Sequence, residues 1–82
     1  MLRNESVVYA WTNGERAASG HMSTDGVDLF SYSLKIASRA DSETRIWDYT
    51  ARGKYVSQTT SCHVGLALRI AGSYALLIQP QD

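Results

Sequence analysis

Val27-Asp28-Leu29-Phe30-Ser31-Tyr32-Ser33-Leu34-Lys35-Ile36-Ala37-Ser38 carries the cleanest pattern in the chain. Phe30, Tyr32, Leu34 and Ile36 recur at every second position, with Ser31, Ser33, Lys35 and Ala37 between them. A period of two is that of a strand with one buried face, so the stretch predicts a single half-buried antiparallel strand.

Upstream, Ser6 to Trp11 holds Val7, Val8, Tyr9 and Trp11, β-branched or aromatic residues that favour a strand. Asn13-Gly14 follows, a strong hairpin signal because both positions tolerate positive φ. Glu15 to Ser19 then reads as a weak return strand at a sheet edge, and Asp25-Gly26 as a second turn of the same kind. Downstream, Ala40 to Glu43 is a polar turn. Thr44 to Thr50 resumes alternation, with Ile46 on one side and Trp47 and Tyr49 on the other. Arg52-Gly53-Lys54 closes a tight connection before Tyr55-Val56.

From Ser57 the pattern changes. Ser57, Thr59, Thr60 and Ser61 are good helix-capping residues ahead of an apolar run. Val64, Ala67, Leu68, Ala71, Ala75 and Ile78 then recur at spacings of three and four, the stripe of an amphipathic helix. Gly72 either sits inside one long helix or ends it and releases Tyr74 to Ile78 as a short final strand. The spacing favours a continuous helix ending before Pro80. The expected fold is α+β: an antiparallel sheet of three to four strands backed by one C-terminal helix. Leu66, Ile70, Tyr74 and Leu77 line the other side of that helix, as a wide contact with the sheet or as a seam between copies of the chain.

Eighty-two residues suffice for one domain, 1–82, with no internal repeat or linker, and leave no room for a cleft between lobes. Eight Lys plus Arg balance eight Asp plus Glu, which argues against a general nucleic-acid or anionic-membrane binder. One cysteine, Cys62, allows no internal disulfide, and with two histidines makes a poor metal set. No apolar run is long enough to span a bilayer and the first residues lack a signal-peptide pattern, so a cytoplasmic protein is expected.

Chemistry concentrates at Ser57-Gln58-Thr59-Thr60-Ser61-Cys62-His63. A helix capped by Thr59 or Thr60 would present free amides and a positive dipole end, with hydroxyls and His63 around them. Arg52 and Lys54 arrive from the preceding connection. The cluster predicts either ordinary capping or a site for a phosphorylated small molecule, formed by Thr59, Thr60, Ser61, His63, Arg52 and Lys54. Tyr49 or Trp47, if open to solvent, would stack on a base. Catalysis is poorly supported: Cys62 and His63 are sequence neighbours and diverge on a helix, and no phosphate-cradling glycine loop or nucleophile elbow is present. No cofactor and no metal are implied.

Trp11-Thr-Asn-Gly14, Ser19-Gly20, Thr24-Asp25-Gly26, Leu29-Phe-Ser-Tyr-Ser-Leu-Lys-Ile36, Asp48-Tyr-Thr-Ala51 and Ser57-Gln-Thr-Thr-Ser-Cys-His-Val64 together form a further pattern. Over roughly residues 11 to 71 the chain resembles a family of short bacteriophage and mobile-element proteins that brings no established activity with it. The resemblance implies a counter-defence role in the host cytoplasm, by sequestering a nucleotide-type signal or by binding a host defence protein such as a nuclease complex. The expectation that follows is a non-enzymatic, homo-oligomeric ligand sponge. The alternative is a protein-binding inhibitor acting through a sheet face or edge.

Overall fold

Val7, Val8 and Trp11 lie on one face of a helical turn, at i, i+1 and i+4, and all three are fully buried. Helix α1 (Asn4–Thr12) is the result, where local propensity predicted a strand. Tertiary burial outweighs the small penalty of β-branched residues in a helix. Trp11 also donates its ring N–H to the carbonyl of Val27 at 2.8 Å. Asn13-Gly14 ends this helix and does not turn a hairpin. Gly14 has φ 76°, its amide bonds Trp11 O, and the amide of Glu15 bonds Ala10 O. That pair of bonds is a Schellman motif, which needs the same left-handed glycine as a hairpin turn.

The structure is a computed structural model that describes residues 3–50 and 52–80; Ala51, part of the Asp48–Ala51 stretch in the resemblance, lies outside them. After α1 come β1 (Arg16–Ala18), β2 (Met22–Asp25), β3 (Asp28–Ser31), β4 (Leu34–Ser38), a short 3-10 turn (Ala40–Ser42), β5 (Arg45–Trp47), α2 (Gln58–Ala71) and β6 (Leu76–Ile78). The six strands form one sheet in sequence order, antiparallel throughout except that β6 runs parallel to β5. The α+β class stands, but the sheet has six strands of mixed direction and two helices back it.

The stretch that seemed one strand is two. Chain direction reverses at Tyr32-Ser33, and Ser31 pairs with Leu34. Tyr32 takes φ 57°, a left-handed conformation rare for an aromatic residue, and no Gly, Pro, Asn or Asp marks the site, only serines. A register shift between Leu29 and Phe30 then offsets the strands. Leu29, Ser31 and Ile36 face the core, while Phe30 and Leu34 are only partly buried and Tyr32 is exposed. Of the four residues read as the buried face, Ile36 alone is fully buried.

The Asp25-Gly26 turn forms as expected: Gly26 has φ 98°, and Asp25 Oδ1 accepts from the amides of Val27 and Asp28. Ala17, beside the exposed Arg16, packs against the core in the expected edge strand. In the second half, Ser57 caps α2 by accepting from the Thr60 amide at 3.1 Å. The helix stops at Ala71 and does not continue to Ile78. A Cβ at Gly72 would collide with the Leu68 carbonyl, and the chain turns there into β6.

One core lies between the sheet and both helices. Val7, Val8 and Trp11 of α1 and Val64, Ala67 and Ala71 of α2 meet Met22, Leu29, Ile36 and Ile46 of the sheet. The opposite face of the sheet carries no helix.

Candidate functional site

His63 lies one turn inside α2 and points under the sheet, where it is 3% exposed. Ser31 of β3 brings its hydroxyl to 2.6 Å from His63 Nδ1 and to 3.2 Å from Thr60 Oγ1. On the other side, Asn4 of α1 donates from Nδ2 to His63 Nε2 at 3.3 Å. Ser19 donates to Asn4 Oδ1 at 2.7 Å, so the amide is held from both of its ends. Each ring nitrogen of His63 thus has one polar partner, Ser31 at Nδ1 and Asn4 at Nε2. With one polar partner on each nitrogen and no carboxylate beside it, the ring is suited to the neutral form. Burial, then the nearby His21 imidazole, hold its pKa below the ordinary value. The ring of Tyr32 covers the outer side, with centroids 6.2 Å apart.

This arrangement does not suit nucleophilic catalysis. A nucleophilic hydroxyl must be reachable by substrate, and Ser31 has no exposed surface while His63 is 3% exposed. Cys62, the other candidate nucleophile, is exposed and receives only the amide of Gln58, at 3.6 Å. Among the described residues no cluster of three His, Cys, Asp or Glu is placed to hold a metal ion.

The residues singled out in the sequence thus separate. Thr60 and His63 are buried and spent on internal hydrogen bonds that tie α2 to β3 and α1. Thr59 and Ser61 are half-buried, and Arg52 and Lys54 lie exposed in the loop ahead of the helix. Tyr49 packs against the core. Trp47 points away from its neighbour Ile46, which is buried under the helices, and so lies on the helix-free face. A ring on one face of the sheet and an imidazole beneath the other cannot share a small ligand.

The helix-free face holds the concave surface. A depression of about 450 Å³ is lined by Arg16, Ala17 and Ala18 of β1, Ser23, Thr24 and Asp25 of β2, and Phe30 of β3. The ladder sets this row: Ala18 pairs with Ser23, Ser23 with Phe30, and Phe30 with Lys35. Lys35 continues it, with its ammonium 6.0 Å from the Trp47 ring and 3.9 Å from Asp28. Arg16 stands opposite Asp25 and makes no side-chain hydrogen bond or ion pair with a described residue. Backbone amides of Asp28 and Val27 keep the Asp25 carboxyl below the usual carboxylate range, so it is charged at neutral pH.

Phe30 and Arg16 were not among the residues the sequence singled out. Reading one strand through Tyr32 placed Phe30 in the core. Arg16 sits in a stretch correctly read as an edge strand, and its position opposite the Asp-Gly turn was the available signal.

Comparison with known protein families, with curated proteins and with solved structures finds no match. No helix among the described residues is long and apolar enough to cross a membrane. The site's chemistry must therefore speak from its own geometry.

Proposed function

We propose that this protein binds a phosphorylated small molecule of the nucleotide type without transforming it, on the helix-free face of its sheet. The observation that carries the reading is the depression shared by Arg16 and Phe30. Its volume lies in the range of small-molecule sites, roughly 300–1,000 Å³. Each lining group has a role that such a ligand calls for. The Phe30 ring is a platform for a base, worth about 1–3 kcal/mol by stacking. The Arg16 guanidinium offers a planar fork to a phosphate. Asp25, held ionised, accepts from ribose hydroxyls or base N–H groups, and Ser23 adds a hydroxyl. A six-stranded sheet fixes these groups on a rigid support. Together with the likeness to short phage proteins, this supports a counter-defence sponge that withdraws a nucleotide signal.

Calorimetric titration with a panel of mono-, di- and cyclic nucleotides tests the reading. At least one member binds, and Arg16→Ala and Phe30→Ala each weaken it tenfold or more with an unchanged melting temperature. Failure of every member of the panel, or binding that survives both substitutions, overturns it.

A second reading, an inhibitor that docks on a host defence protein, draws support from the same face. Beyond the depression, Trp47 and Ile78 are half-buried neighbours in the ladder and extend an apolar strip. That reading expects a stable protein complex and no nucleotide-dependent thermal shift.

A further inference from the structure

The two edges of the sheet are unlike. β1 presents Arg16, with Glu15 just ahead of it, charges that discourage a second strand from adding. β6 has no such defence: from Ser73 to Pro80 there is no charged residue, and Tyr74, Leu76 and Leu77 are 58%, 53% and 51% exposed. The parallel ladder to β5 uses Leu76, whose amide bonds Thr44 O, and Ile78, whose carbonyl accepts from Asp48. Alternation then turns the amide and carbonyl of Leu77 outward, away from the sheet.

We propose that β6 pairs antiparallel with β6 of a second copy about a two-fold axis at Leu77, making one sheet continuous across a homodimer. The geometry is self-complementary, as an isologous interface requires. Leu77 N–H of each copy donates to Leu77 C=O of the other, a hydrogen-bonded antiparallel pair. Leu77 meets its own counterpart on the helix side, and Leu76 meets Ile78 across the axis on the open side. No like charges approach each other, because the segment has none. Each half-exposed large side chain contributes roughly 100 Å². With the strand backbone, they make a small interface, of the size expected near the lower bound of about 1,000 Å² for a specific one. A charged, different edge at β1 stops further addition, so assembly ends at two. The seam expected along the helix is not available in that form: Leu66 and Ile70 pack against the core, and only Tyr74 and Leu77 of that set are exposed. This pairing is independent of what the open face binds.

Sedimentation velocity from about 1 to 500 µM tests it. The full chain shifts from 9.1 kDa to twice that mass, with a dissociation constant in the micromolar range. Leu77→Lys, which sets two like charges across the axis, stays monomeric with an unchanged far-UV spectrum. Should that variant misfold, hydrogen exchange on the wild-type chain serves instead: the Leu77 amide gains protection as concentration rises, and the Arg16 amide does not. A monomer at every concentration, a Leu77→Lys variant that still dimerises, open-ended polymers, or pairing only with a foreign protein each overturn the proposal.

Discussion

The Ser31 hydroxyl and His63 Nδ1 lie 2.6 Å apart in a region closed to solvent, joining β3 to α2. Each group satisfies the other, and Thr60 completes the set. Among the described residues no buried side-chain nitrogen or oxygen lacks a partner. Ser31→Ala would leave the buried His63 Nδ1 without a partner, at a cost of about 1–3 kcal/mol. In a domain this size that lowers the melting temperature by roughly 4–8 °C per kcal/mol. Thermal unfolding followed by circular dichroism checks it, with the exposed Ser33→Ala as a control expected to stay within about 0.5 kcal/mol. Equal melting temperatures for the two variants would show that the buried network contributes nothing.

Acid should loosen the same joint. His63 titrates below its ordinary value of about 6.5 when folded, so the unfolded chain takes up the proton first. Stability is therefore full above about pH 6.5 and declines as pH falls toward the folded-state value. Urea unfolding at pH 7.5, 6.5 and 5.5 reports the slope, and His63→Gln should flatten it. A slope of opposite sign would mean that the ring is charged in the folded protein.

Gly26 and Gly20 make a contrasting pair. Gly26 has φ 98°, and a Cβ there would lie 2.7 Å from the Gly14 carbonyl oxygen. Gly20 has no heavy atom within 4 Å of the equivalent position. Gly26→Ala should cost about 2 kcal/mol or more, while Gly20→Ala is neutral or stabilising by about 0.5 kcal/mol. Denaturant midpoints of the two variants decide it, and the prediction fails if they coincide.

Asp48 links the connection after β5 to β6. Burial opposes its charge, but hydrogen bonds from the Thr50 side chain, the Thr50 amide and Gln79 outweigh that and lower its pKa. The carboxylate therefore stabilises the fold above the unfolded carboxyl value near 3.9, and that contribution is lost as pH falls through the lower folded value. Asp48→Asn should reduce stability at pH 7 and narrow the gap to wild type at pH 2–3. A gap that is constant with pH would assign the effect to shape alone.

How much of this was legible depends on what each signal encodes. The presence of α2 was readable because a run of hydroxyl residues precedes the apolar stripe, although the cap is Ser57 and not Thr59 or Thr60, and β5 because Ile46 and Trp47 alternate beside a polar turn. Helix α1 was not, because Val7, Val8 and Trp11 suit a strand locally and only the core makes them helical. Asn13-Gly14 was ambiguous for a sharper reason: a Schellman motif and a tight hairpin demand the same positive φ. The turn at Tyr32 carries only serines, which also fit the polar side of a strand, and missing it inverted the side on which Phe30 lies. The cluster at Thr60 and His63 was correctly seen as polar and concentrated. What it could not reveal was that Ser31 and Asn4, far away in sequence, would come to use those groups themselves.

The central claim is that the ligand surface lies at Arg16 and Phe30, and that the start of α2 is internal structure. An amide-resolved nuclear magnetic resonance titration with the best-binding nucleotide tests it most directly. The account predicts shifts concentrated at Arg16, Ala18, Ser23 and Phe30, with Thr59 to His63 unmoved. Shifts centred on Thr59 to His63, or none at the Arg16–Phe30 depression, would contradict it.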